Sequence, residues 1–135
     1  MKRRTILPLL AAAGAAGAEG ADELAFAGHP MARLDADGKE AKLTELNADA
    51  SEKFACRIVK RGRGYVWANR GNRRLERIES GDFTYFVSPE GSGYVKVLEI
   101  RERGAQPFDY IEHVTSGFKT VTYWGRQAAK GSTGN

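Results

Sequence analysis

The sequence predicts a mostly β domain, a small antiparallel meander closing into a barrel-like sheet or sandwich, with at most one short helix near residues 47–54. Three observations carry this prediction. Short runs of β-branched and aromatic residues recur about every 8–12 positions, with Gly, Pro, Ser and Asn clusters between them. The connections are too short for parallel crossovers, which take about a dozen residues or more. A sheet of so many short strands must also curl or fold on itself to cover its apolar face. The 135 residues suffice for one domain, and no long-period repeat is present.

The chain opens with an export signal. Lys2, Arg3 and Arg4 form a basic segment, an apolar stretch runs on through residue 18, and Ala16-Gly17-Ala18 supplies a small-x-small cleavage site before Glu19. The stretch is shorter than the roughly 20 apolar residues of a membrane-spanning helix, so no transmembrane anchor is expected. Arg3-Arg4-Thr5-Ile6-Leu7 also resembles a twin-arginine export signal. The organisation expected is therefore a signal peptide at 1–18, a flexible leader at 19–30, a single β-rich domain at 31–126 and a disordered tail at 127–135.

Within the domain, Asp37-Gly38 predicts a two-residue hairpin. Pairing outward from it sets Leu34 against Ala41 and Ala32 against Leu43 on one face, with Arg33/Lys42 and Asp35/Glu40 on the other. Asn47 or Asp49 caps the short helix. Strands follow at 54–60, 65–69, 73–79, 83–87, 94–100, 110–114 and 118–124. A last turn at Ser116-Gly117 sets Tyr110 against Tyr123, Glu112 against Val121 and Val114 against Lys119. Glu112 and His113 then lie on opposite faces and cannot act as an acid–base pair, while Glu112 sits diagonal to Lys119 in an ordinary cross-strand ion pair. His113 falls beside Thr120 and Trp124, either lining a cavity or bonded to Thr120.

The formal charge of +4 becomes +1 once the three basic residues of the signal are removed. What remains is divided. Residues 19–53 hold nine acids against four bases, and residues 57–77 hold eight bases against Glu76 alone. Such blocks attract each other within a molecule or mark a binding face. Arg61, Arg63, Arg70, Arg73 and Arg74 are expected around two turns at one end of the sheet, with Trp67 among them, an arrangement suited to anions and rings. Cys56, the single cysteine, reads as a small core residue. No zinc spacing, nucleophile elbow or phosphate loop is present, and no metal or cofactor is implied.

These features predict an exported, periplasmic or secreted, β domain that binds rather than catalyses. The residues expected to bind are Arg61, Arg63, Trp67, Arg70, Arg73, Arg74, His113 and Trp124. The partners expected are an anionic lipid, a glycan or envelope polymer, or a protein; export disfavours nucleic acid. The alternative is a small cavity-bearing enzyme using His113 with a nearby tyrosine. Export is checked by mass spectrometry of the envelope fraction of expressing cells. The expected product is a chain beginning near Glu19, whereas a cytosolic species retaining Met1 contradicts the reading.

Overall fold

The computed structural model describes residues 22–99 and 107–128; the expected signal peptide lies outside these residues. The described residues form β1 (Glu23–Ala36), β2 (Ala41–Glu45), helix α1 (Ala48–Lys53), β3 (Cys56–Arg61), β4 (Gly64–Trp67), β5 (Arg73–Ser80), β6 (Phe83–Val87), β7 (Gly93–Leu98), β8 (Tyr110–Ser116) and β9 (Lys119–Gln127). All pairings are antiparallel, in the order β9-β8-β7-β6-β5-β4-β3-β1-β2, and β9 also pairs with β1. The sheet is thus a closed eight-stranded barrel, with β2 as an extra strand. Closure removes the sheet edges that a flat meander would leave open.

The long β1 makes closure possible. Its first half pairs with β3, Glu23 against Lys60 through Gly28 against Cys56. Its second half pairs with β2, and its other edge takes β9. Residues 19–30, expected as a leader, are therefore corrected over the described part: 23–30 are strand, with Phe26 in the core. Acidic and small residues masked this, because Phe26 is the only large aromatic among them. The expected tail is likewise shortened. Gln127 belongs to β9 and its backbone N–H donates to the Asp109 carboxylate at 2.7 Å.

Both readable hairpins keep their predicted faces but move by two residues in register. In the first, Leu34 faces Leu43 and Ala36 faces Ala41. The Asp37 N–H donates to Glu40 C=O, and its carboxylate accepts from the backbone N–H groups of Lys39 and Glu40, both at 2.9 Å, so the two-residue turn moves from Asp37-Gly38 to Gly38-Lys39. In the second, Ser116 pairs with Lys119 and Tyr123 with Glu112, leaving Gly117-Phe118 as the turn. A turn on Ser116-Gly117 of the type that needs positive φ at both positions would strain Ser116. Gly117 at φ +62° in the first central position avoids this. A shift of two preserves which residues share a face.

Asn47 caps α1, its side chain accepting from Ala50 N–H at 2.9 Å. The inward row Phe86, Val95, Glu112, Tyr123 and Arg33 crosses five consecutive strands. With Phe26, Cys56, Ile58, Trp67, Leu75, Val97 and Tyr110 it fills the barrel. Eight strands leave an interior only wide enough for side chains to fill. The Tyr110 ring edges against Phe26 at 5.1 Å and lies over Gly28, where a Cβ would come within 2.6 Å of ring carbons.

A Gly117→Val variant should lose more than about 1 kcal/mol of stability, because a β-branched residue is strained at positive φ. Thermal unfolding against Gly64→Val checks this. Gly64 has open space and no positive φ, so equal melting points for the two variants contradict the turn.

Candidate functional site

Two places gather chemistry. The first is inside the barrel. Glu112 on β8 is fully buried, and its carboxylate accepts from Trp67 Nε1 at 2.8 Å and from the Arg70 guanidinium at 2.9 Å. Trp67 ends β4, and Arg70 stands in the connection that follows. That connection is held by Asn69, whose side chain donates to Ala55 C=O and accepts from Arg57 N–H. Arg70 also lies over the Tyr123 ring at 5.1 Å. On the other side of this end, Arg33 lies 4.6 Å from the centre of the Phe54 ring and 5.6 Å from that of Tyr123. The stack plugs the end of the barrel next to α1.

Burial pushes the Glu112 carboxyl above its ordinary range, with Arg70 and Trp67 pulling it back. Burial raises the Cys56 thiol and the Tyr110 phenol too, and keeps both protonated. A protonated, buried thiol is a poor nucleophile. The expected surface pair of Glu112 with Lys119 is thus corrected: Glu112 points into the core, and its partners come from β4 and the loop beyond it.

The second place is on the outside. A cleft of about 430 Å³ is lined by Phe83, Lys96, Leu98, Phe108, Ile111 and Trp124, with Asp82 also on its wall. Lys96, Ile111 and Trp124 form a continuous outward row across β7, β8 and β9. The Lys96 ammonium sits 4.2 Å from the centre of the Phe83 ring and 5.7 Å from that of Tyr85. Among the described residues it forms no ion pair.

The residues expected to bind are dispersed. Arg61 and Arg63 lie at the β3–β4 turn, and Arg70, Arg73 and Arg74 lie around the β4–β5 connection. These are opposite ends of β4, so the expected single basic end does not form. Successive turns of a meander alternate between the ends of the sheet. Arg61 pairs with Asp22 at 2.6 Å, Arg73 with Glu90 at 3.2 Å and Arg74 with Glu76 at 3.4 Å. Trp67 and Arg70 serve Glu112 in the interior. His113 faces outward, its Nδ1 2.9 Å from Thr122 Oγ1, and it stacks on Tyr94 at 5.4 Å. Its partner is Thr122 rather than Thr120, as the corrected register requires. Only Trp124 of the expected set lines the cleft. Among the described residues, no group of three or more His, Cys, Asp or Glu side chains is placed to hold a metal ion. No protein-family model, curated protein or solved structure matches the chain.

Removing either partner of the Glu112–Arg70 pair leaves a buried charge, so Glu112→Ala and Arg70→Ala should each cost about 3–5 kcal/mol. The raised carboxyl also gives a pH dependence. Between the ordinary value of 4.5 and the higher folded value, the folded state holds the proton that the unfolded state releases. Stability from this group therefore falls as pH rises through that window. Urea unfolding from pH 4 to 7 should show wild type losing stability relative to Glu112→Gln as pH rises. A constant difference contradicts the direction.

Proposed function

We propose that the chain is an exported, non-catalytic binding domain that takes an anionic amphiphile in the cleft beside Trp124. The observation that carries this reading is the contrast between the two sides of the sheet. The interior is packed with its own side chains, whereas the outer face holds a concave, mostly apolar space with one cation, Lys96, and two acids, Asp82 and Asp109, at its wall. Ligand sites commonly combine apolar walls with a few placed polar groups. Trp124, Ile111, Leu98 and Phe108 take the apolar body, and Lys96 takes the acid group. Lys96 suits this role because the rings of Phe83 and Tyr85 position its ammonium without neutralising it. The enzymatic alternative has less support: His113 lies outside the cleft lining, and its Nδ1 is engaged by Thr122.

Decanoate is a suitable probe. Its roughly eight methylenes, at about 0.8 kcal/mol each when fully buried, bound the apolar contribution near 6 kcal/mol, or a Kd of tens of micromolar. Calorimetric titration should show decanoate binding that weakens about 10-fold in Lys96→Met, while decanol is unaffected by that change. Trp124→Ala should weaken both ligands, and His113→Ala should weaken neither. Decanoate affinity indifferent to both Lys96→Met and Trp124→Ala contradicts the proposal.

A further inference from the structure

β2 ends the sheet, hydrogen-bonded to β1 on one side and to no strand on the other among the described residues. The phase of its free edge follows from the hydrogen bonds at its two ends. Asp37 N–H donates to Glu40 C=O and Leu46 N–H to Met31 C=O, so 37–40 and 31–46 are both hydrogen-bonded pairs. Hydrogen-bonded and non-hydrogen-bonded pairs alternate along an antiparallel ladder. Lys42 and Thr44 therefore spend their backbone groups on β1, and Ala41, Leu43 and Glu45 turn theirs to the open edge. No bulge interrupts this ladder, and β2 contains no proline. Leu43, at the centre of the strand, is 66% exposed. Its side chain stands on the outer face beside Leu34.

We propose that this edge pairs with the β2 edge of a second copy of the chain, antiparallel about a two-fold axis at Leu43. A two-fold perpendicular to the sheet requires paired residues to share a face, which restricts the register to steps of two. The register centred on Leu43 brings Leu43 against Leu43 of the second copy and Ala41 against Glu45, so the outward-turned residues all meet one another. It sets Lys42 opposite Thr44, and no like charges stand directly opposite. Glu45 lies diagonal to Lys39 of the second copy, which complements its charge. Moving the centre to Lys42 keeps outward-turned residues paired, Ala41 against Leu43, but sets lysine directly opposite lysine, which like-charge repulsion disfavours. The two Leu43 side chains cover each other, which neither does within one copy. Strand addition at an open edge draws its affinity from such main-chain bonds.

Sedimentation velocity of the full chain at rising concentration tests this. The expected result is a reversible dimer of twice the 14.8 kDa chain. Leu43→Lys should raise its dissociation constant at least about 10-fold, with circular dichroism and melting temperature unchanged. Leu43→Pro should do the same, because it removes an N–H that faces away from β1. A second measurement does not depend on either variant folding. Under mild oxidation Leu43→Cys should form a disulfide dimer, since Cα atoms of a hydrogen-bonded antiparallel pair lie about 5.5 Å apart. Lys42→Cys, facing Thr44 instead of its own copy, should do so at least about 10-fold more slowly. A monomer at every concentration overturns the proposal. So does a dimer that survives Leu43→Lys, or equal cross-linking at positions 42 and 43.

Discussion

The carboxylate of Glu112 is the point on which the barrel's interior is organised. A buried charge is costly, and attraction to a partner offsets that cost only when the geometry is good and the remaining lone pairs are bonded. Here both oxygens are used, one by Trp67 Nε1 and the other by Arg70. The pair links β8 to β4 across the barrel, between residues 42 and 45 positions apart in sequence. Trp67 is thereby fixed in the core with its N–H satisfied, as a buried indole requires. Arg70 is drawn inward until its side chain is only 17% exposed, and its guanidinium then covers Tyr123. Arg33 and Phe54 extend the stack to the end of α1. A short helix of six residues with no buried side chain of its own is held in place by this neighbourhood, not by its own stability.

Filling the interior in this way bears on the proposed function. A small barrel holds a ligand inside only if side chains leave it room, and here aromatic rings and the Glu112 cluster occupy that room. Under the proposed function, recognition then falls to the outer face. Along β7, β8 and β9 that face is apolar enough to form a cleft, because Ile111 and Trp124 stand in the row that would otherwise be polar. Strands with apolar residues on both faces are expected where both faces are covered. In β8 and β9 one face is covered by the core and the other lines the cleft.

Much of the fold was legible in the sequence because alternation survives errors of register. The closing hairpin illustrates this: the sequence sets its turn one residue early, yet Tyr110, Glu112, Val114, Val121 and Tyr123 share one face in either register. That grouping already held the clue to Glu112, a lone carboxylate in an otherwise apolar and aromatic row. It was missed because its partners are far away in sequence, on β4 and the loop after it, and local pairing offered Lys119 instead. The cleft was illegible for a similar reason. Phe83, Lys96 and Phe108 converge only once β6, β7 and the approach to β8 are folded beside one another. The first half of β1 escaped notice because its Gly, Ala and Glu residues lack strand character, and only closure against β3 makes them a strand.

The charge blocks show how a linear signal loses its meaning on folding. Eight cations between residues 57 and 77 suggest a basic face, but the meander sends successive turns to opposite ends of the sheet. Five of those cations also find acids: Arg61 with Asp22, Arg70 with Glu112, Arg73 with Glu90, Arg74 with Glu76 and Arg77 with Glu79. Apart from the buried Arg70–Glu112 pair, the other four contribute little to stability, typically about 0–1 kcal/mol each, but they do neutralise the charge that an incoming anion would meet. Only the first of the five joins the acidic amino-terminal block to the basic one, tying the start of β1 to the end of β3. Lys96 carries no such partner among the described residues and lies against rings, in a cleft whose wall also holds Asp82 and Asp109. A single cation against an apolar wall is a weaker feature in the sequence than a run of arginines, and a stronger one on the folded surface.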